Sequence, residues 1–131
     1  MIQILLLLPL IAPTSEPEFF GEVEQAKLIA ESERGWETEV VMNDGSRADL
    51  VNDSFAAEVE WSSKWKEAPA QAVLYSIWTG KKPLVILLVK DPRQLSEKLN
   101  ILRCKLVCER LGIAMRTVPA RRSDEGETSN E

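Results

Sequence analysis

Leu84–Val89 is an unbroken apolar run, LVILLV, with Pro83 before it and Asp91-Pro92 after it. A segment of that length with no polar alternation has no wet side, so it reads as a strand buried on both faces. Such a strand needs partners at both edges and helices above and below, and helical spacing lies on either side of it. Trp65, Ala68, Ala72 and Tyr75 precede it and end at Gly80, while Leu95, Leu99, Leu102 and Leu106 follow it as one stripe that ends at Gly112. Asp91 and Pro92 suit the N-cap and first position of that second helix.

Upstream, the residues from Phe19 to Arg34 suit an amphipathic helix carrying Val23, Ala26, Leu28 and Ala30, which Gly35 closes. Trp36–Met42 and Arg47–Val51 read as the arms of a hairpin around Asn43-Asp44-Gly45. After Asn52-Asp53-Ser54, Phe55–Trp61 alternates. Phe55, Ala57, Val59 and Trp61 share one face, and Glu58 and Glu60 share the other. Ile113–Val118 reads as a last strand. The order α-β-β-β-α-β-α-β predicts an α/β domain, bordering on α+β. Its sheet is mixed: an antiparallel meander, then a crossover to a parallel strand.

Composition limits what this fold can do. The chain has 131 residues, 44% apolar and 28% charged, which is enough for one domain with one core. With 16 Lys and Arg against 21 Asp and Glu the net charge is −5, so a nucleic-acid partner would be met by local contacts and not by a broadly basic surface. There is no histidine, which excludes histidine triads, imidazole acid–base chemistry and histidine zinc ligands. The two cysteines, Cys104 and Cys108, fall on one helix and read as core thiols, since two thiolates are half a zinc site.

The ends differ from the middle. Ile2–Ile11 followed by Ala12-Pro13-Thr14-Ser15 has the length and exit of a secretory signal, is too short to span a bilayer, and lacks Lys or Arg before the apolar run. Export with a cleaved leader and a cytoplasmic arm that packs on the domain are both consistent with it. From Pro119 onward the chain is polar and is expected to form a solvated tail. The predicted organisation is thus an apolar segment at 1–18, a domain at 19–118 and a tail at 119–131.

Asp49 lies on the strand before Glu58 and Glu60, so cross-strand pairing would bring these carboxylates together. Clustered carboxylates repel, and a hard divalent cation such as Mg²⁺ or Mn²⁺ relieves the repulsion, lowers the pKa of a bound water and stabilises charge on a phosphate. An Asp ending one strand, followed by Glu58-Val59-Glu60 on the next, resembles the signature of the PD-(D/E)XK nuclease superfamily. So do the α-β-β-β-α-β order, the Lys64-Trp65-Lys66-Glu67 start of the crossover helix and its Gln71-Ala72 pair. The resemblance is to small restriction-endonuclease-like relatives and covers Phe19–Val118.

It implies metal-dependent hydrolysis of phosphodiester bonds. Asp49 and Glu58 would be metal ligands, Glu24 an additional acid from the first helix, and Gln71 a residue facing the site. Glu60 stands where the motif carries lysine, and Lys64, with Lys66 behind it, is the substitute. The simplest structural reading stays beside this one. Glu58 and Glu60 form the solvent face of a half-buried strand, the lysines keep the surface wet, and Trp61, Trp65 and Trp78 are core. On that reading the chain is a catalytically inactive binding or assembly module of the same fold.

Overall fold

A computed structural model of the chain describes residues 18–126; the signal-like run at Ile2–Ile11 lies outside the described residues. The elements are α1 (Glu22–Ser32), β1 (Glu37–Val41), β2 (Arg47–Val51), β3 (Phe55–Trp61), a 3₁₀ turn (Ser62–Lys64), α2 (Ala68–Thr79), β4 (Lys82–Val89), α3 (Leu95–Leu111), β5 (Ala114–Pro119) and a second 3₁₀ turn (Ser123–Gly126). The predicted order is therefore observed. Among the described residues no helix is long and apolar enough to cross a membrane.

The five strands form one mixed sheet in the order β1-β2-β3-β4-β5. β1–β2 and β2–β3 pair antiparallel, and β3–β4 and β4–β5 pair parallel. Leu84–Val89 is buried throughout, as an unbroken apolar strand between two parallel neighbours must be. On one side α1 covers Leu50, Ala57, Val59, Leu84, Ile86 and Leu88 with Ala26 and Ile29. On the other, α2 and α3 cover Val85 and Leu87 with Ala68, Ala72, Cys104 and Cys108.

Ladder pairing is uneven. β3 and β4 match along the whole of β3, from Phe55–Lys82 to Trp61–Leu88. β2 and β3 pair only at Leu50–Ala57 and Val51–Ala56, so β2 splays away and leaves a notch beside residues 58–61.

One helix sits differently from expectation. α3 begins at Leu95 with Gln94 as N-cap, not at Pro92, because Asp91 closes a turn in which its carboxylate accepts from the Arg93 amide and its carbonyl from Gln94. The stripe Leu95, Leu99, Leu102 and Leu106 faces solvent. The buried stripe is Glu97, Ile101, Cys104 and Cys108, of the same period but displaced by two residues to the opposite side. Small thiols let the helix approach the sheet. Glu97 is drawn inward by the Ser62 hydroxyl and the Lys90 and Asp91 amides, which all donate to its carboxylate.

The polar stretch expected to leave at Pro119 stays on the domain through Ser123. Phe20 N–H donates to the Arg121 carbonyl, Ser123 N–H to that of Glu18, and Phe19 forms a bridge with Arg122. Gln25, 1% exposed, clasps both ends of the described chain: its Nε2 donates to the carbonyls of Phe20 and Arg121, and its Oε1 accepts from the Arg121 amide. A polar side chain can be this deeply buried because all its hydrogen bonds are met.

Candidate functional site: an acidic notch

The site grows out of the splayed ladder. Beyond Ala57, the β3 amides that point towards β2 lack carbonyl partners, and an unmatched buried N–H is costly. Carboxylates take that place. Asp49 Oδ2 accepts from the Val59 amide at 2.8 Å, and Glu60 Oε1 accepts from its neighbour's amide, Trp61 N–H, at 3.0 Å. Asp49 thereby points into β3 and lies against Glu58, close enough for the two carboxyls to hydrogen-bond directly.

Glu58 and Glu60 are 6% and 4% exposed, so they are not the solvent face of a half-buried strand; α2 covers that side. Tyr75 of α2, itself buried, brings its hydroxyl close to the Glu58 carboxyl. Glu58 Oε2 is buried and finds no donor.

The electrostatics follow from this crowding. Burial, then the adjacent Asp49 charge, push the Glu58 carboxyl up to about 9. Burial also raises Asp49, against the Val59 hydrogen bond that lowers it. Glu60 is pushed up to about 8 by burial and by Glu22, which shares a hydrogen bond with it. Tyr75 is raised by burial and by the Glu58 charge. At neutral pH the notch therefore holds protons that isolated carboxylates would have released.

Glu39 on β1 lies across the ladder from Asp49, between the pairs Thr38–Leu50 and Val40–Ala48. It adds negative charge to Asp49's surroundings and is the one non-glycine residue with positive φ, at 50°, among the described residues.

The expected site residues are sorted by these contacts. Asp49 and Glu58 converge. Glu60 belongs to a second pair, with Glu22 of α1, and Lys64 Nζ lies 3.8 Å from Glu22 Oε1. Glu24, expected from α1, is exposed on the outer side of that helix and pairs with Lys27. Glu22 takes its place, because α1 turns Glu22, Gln25, Ala26 and Ile29 inward at the spacing of one helical face. That spacing was the available signal, obscured by Val23, which is 47% exposed.

Gln71 is exposed one turn ahead of Tyr75, and Lys66 is occupied over the Trp65 ring at 6.0 Å. Trp61 and Trp65 pack against the two cores as expected, whereas Trp78 is 45% exposed. Among the described residues no three acidic or cysteine side chains converge as a complete metal cage.

The chain matches no family model, no curated protein and no solved structure. Function must therefore be read from the notch itself.

Proposed function

We propose that this chain is a divalent-cation-dependent nuclease of the PD-(D/E)XK kind, with Asp49 and Glu58 as the cation ligands. The observation that carries the reading is the Asp49–Glu58 pair. The buried Glu58 carboxyl and the half-buried Asp49 carboxyl are held together with no salt-bridged Lys or Arg among the described residues, and Glu58 Oε2 lacks a donor. These residues fit Mg²⁺ or Mn²⁺. Mg²⁺ is typically held by one or two carboxylates and completes its octahedron with water and phosphate, so a full protein cage is not required.

A bound cation would supply Lewis acidity towards a phosphate and an acidified water. The chain's own groups do the rest. The Val59 amide fixes the Asp49 carboxylate, and the Tyr75 hydroxyl orients Glu58. Glu60, pushed up to about 8 with Glu22 beside it, suits a group that exchanges a proton near neutral pH. Lys64, held near the notch by Glu22, offers positive charge to a substrate phosphate. Gln71 flanks the α2 side.

One observation favours a second reading. Glu60 stands where the signature carries lysine, and Lys64, with a side chain 56% exposed, is spent on Glu22. On that reading the chain is an inactive module of the same fold.

The test has two arms. The domain is incubated with single- and double-stranded DNA and RNA plus Mg²⁺ or Mn²⁺, expecting cleavage that Asp49→Ala and Glu58→Ala each abolish. Cleavage that survives both substitutions comes from a contaminant and refutes the assignment. Calorimetric titration with Mn²⁺ separates the readings: binding without cleavage supports the module, and absence of binding removes the cation site altogether.

A further inference from the structure

The three parallel strands β3, β4 and β5 end together, at Trp61, Val89 and Pro119. In open α/β sheets the carboxyl ends of parallel strands leave a crevice that ligands use. Here it is a cavity of about 660 Å³, lined by Phe19, Lys90, Asp91, Arg93, Gln94 and Arg122 together with Pro92.

Three cations meet at this cavity, each with an unused donor. Lys90 has no carboxylate partner among the described residues. Its ammonium lies over the rings of Trp61 and Phe19, 4.7 and 5.6 Å from their centroids. Arg93 is paired with Asp91 through Nε, which leaves its terminal nitrogens free. Arg122 is paired with Asp124 through Nη2, while its Nε is buried and has no partner. The neighbouring carboxylates are thus already engaged, Asp91 and Asp124 by these arginines and Glu97 by the Ser62 hydroxyl and the Lys90 and Asp91 amides. Among the lining residues three cations face one carboxylate, Asp91, in a chain whose net charge is −5. α3 opens at the same place, and the Gln94 carbonyl takes its first intrahelical bond from Lys98; the earlier amides of that turn are among those an α-helix leaves unmatched.

We propose that this cavity binds a phosphate group, with Lys90, Arg93 and Arg122 as its ligands. Donors approaching from two chain segments, the turn at residues 90–93 and the stretch at Arg122, suit a tetrahedral anion with several equivalent oxygens better than a planar carboxylate. The volume exceeds what a bare phosphate fills, and Phe19 and Pro92 give the remainder an apolar wall suited to the organic part of a phosphate ester. The assignment is independent of the acidic notch, because neither Asp49 nor Glu58 lines the cavity.

The full chain, kept in a chelator so that no cation bridges ligand to the notch, is titrated by calorimetry. The probes are inorganic phosphate, a nucleoside 5′-monophosphate and the unphosphorylated nucleoside. Saturable binding is expected for the phosphorylated probes, at least about tenfold tighter than for the nucleoside, and weakening as salt rises. Tighter inorganic phosphate would identify the free anion as the ligand, and tighter mononucleotide its ester.

Lys90→Gln and Arg122→Gln are each expected to weaken phosphate binding by about tenfold. The Phe19–Arg122 bridge is made by backbone atoms and survives the latter change. Lys98→Gln with Lys105→Gln, on α3 outside the cavity, and Glu58→Gln in the notch are expected to bind as the parent does. No saturable binding up to tens of millimolar, affinities unchanged in the Lys90 and Arg122 variants, or a nucleoside that binds as well as its monophosphate would each overturn the proposal.

Discussion

Replacing Glu58 by glutamine swaps a buried acid for a neutral side chain of the same shape, and the notch predicts a gain in stability. An unfolded glutamate releases its proton near 4.5, whereas in the folded chain Glu58 holds it up to about 9. Between those values the native state binds more protons than the unfolded state, so stability is fully present below 4.5 and is lost as pH rises towards 9. Each pH unit costs about 1.4 kcal/mol for a full proton. Because Asp49 and Glu58 titrate as a pair, the expected slope from this pair is about 0.7–1.4 kcal/mol per unit. Summed from 4.5 to neutral pH, the penalty is about 2–3 kcal/mol.

Glu58→Gln removes that penalty while keeping an acceptor for Tyr75 and gaining an amide that donates to Asp49. Urea unfolding at a series of pH values between 5 and 8, in chelator, measures it. The variant is expected to be more stable than the parent at neutral pH, by an amount that grows with pH. Glu60, with its own raised value near 8, leaves a residual slope in both proteins, so the difference between the two curves is the quantity to read. Mn²⁺ should stabilise the parent and not the variant. Parallel curves, or a variant less stable than the parent at the alkaline end, would refute the claim that burial opposes the charge on Glu58.

Three further outcomes are expected. Gln25→Ala strands the Phe20 carbonyl and the Arg121 amide and takes one of two donors from the Arg121 carbonyl, at a site 1% exposed, and should lower unfolding stability by about 2–3 kcal/mol; a loss under about 1 kcal/mol would mean that water replaces the clasp. Glu39→Gly relieves a left-handed glutamate at φ 50° and removes a charge facing Asp49, so a gain of about 0.5–1 kcal/mol should appear in the same assay, and destabilisation would contradict it. Cys104 and Cys108 are buried with their sulfurs 3.9 Å apart, and burial pushes the Cys104 thiol up to about 12. Alkylation in native buffer should therefore be negligible and become rapid in denaturant, whereas fast native labelling would place α3 off the sheet.

What the sequence revealed and what it concealed divide along physical lines. Leu84–Val89 announced itself because an unbroken apolar run has one stable location, and the Asn43-Asp44-Gly45 turn fixed the hairpin that carries Asp49. Alternation along Phe55–Trp61 singled out Glu58 and Glu60 but not their burial, because the strand is covered from Ala56 through Glu60. Helix rotation was harder. α3 carries two stripes of identical period, and the more hydrophobic one, Leu95 to Leu106, lost to Glu97, Ile101, Cys104 and Cys108. Backbone donors from the Lys90–Asp91 turn decide between them, and no periodicity argument contains those donors. The same ambiguity of rotation exchanged Glu24 for Glu22. Gln25 and the stretch beyond Pro119 were hidden for a related reason: their polarity is satisfied by partners 96 residues distant along the chain.

Gln25 also has a practical meaning for anyone cutting this chain to size. A fragment trimmed at Val118, where composition changes, would lack the Arg121 groups that Gln25 holds and the Arg122 side chain that lines the crevice beside Phe19. Such a fragment would lose in one stroke a fastening of the first helix and a wall of the basic cavity. The seam where residues 18–20 meet residues 121–123 thus joins the two ends of the described chain beside the crevice, so a change to either end acts on the basic cavity as well as on the first helix.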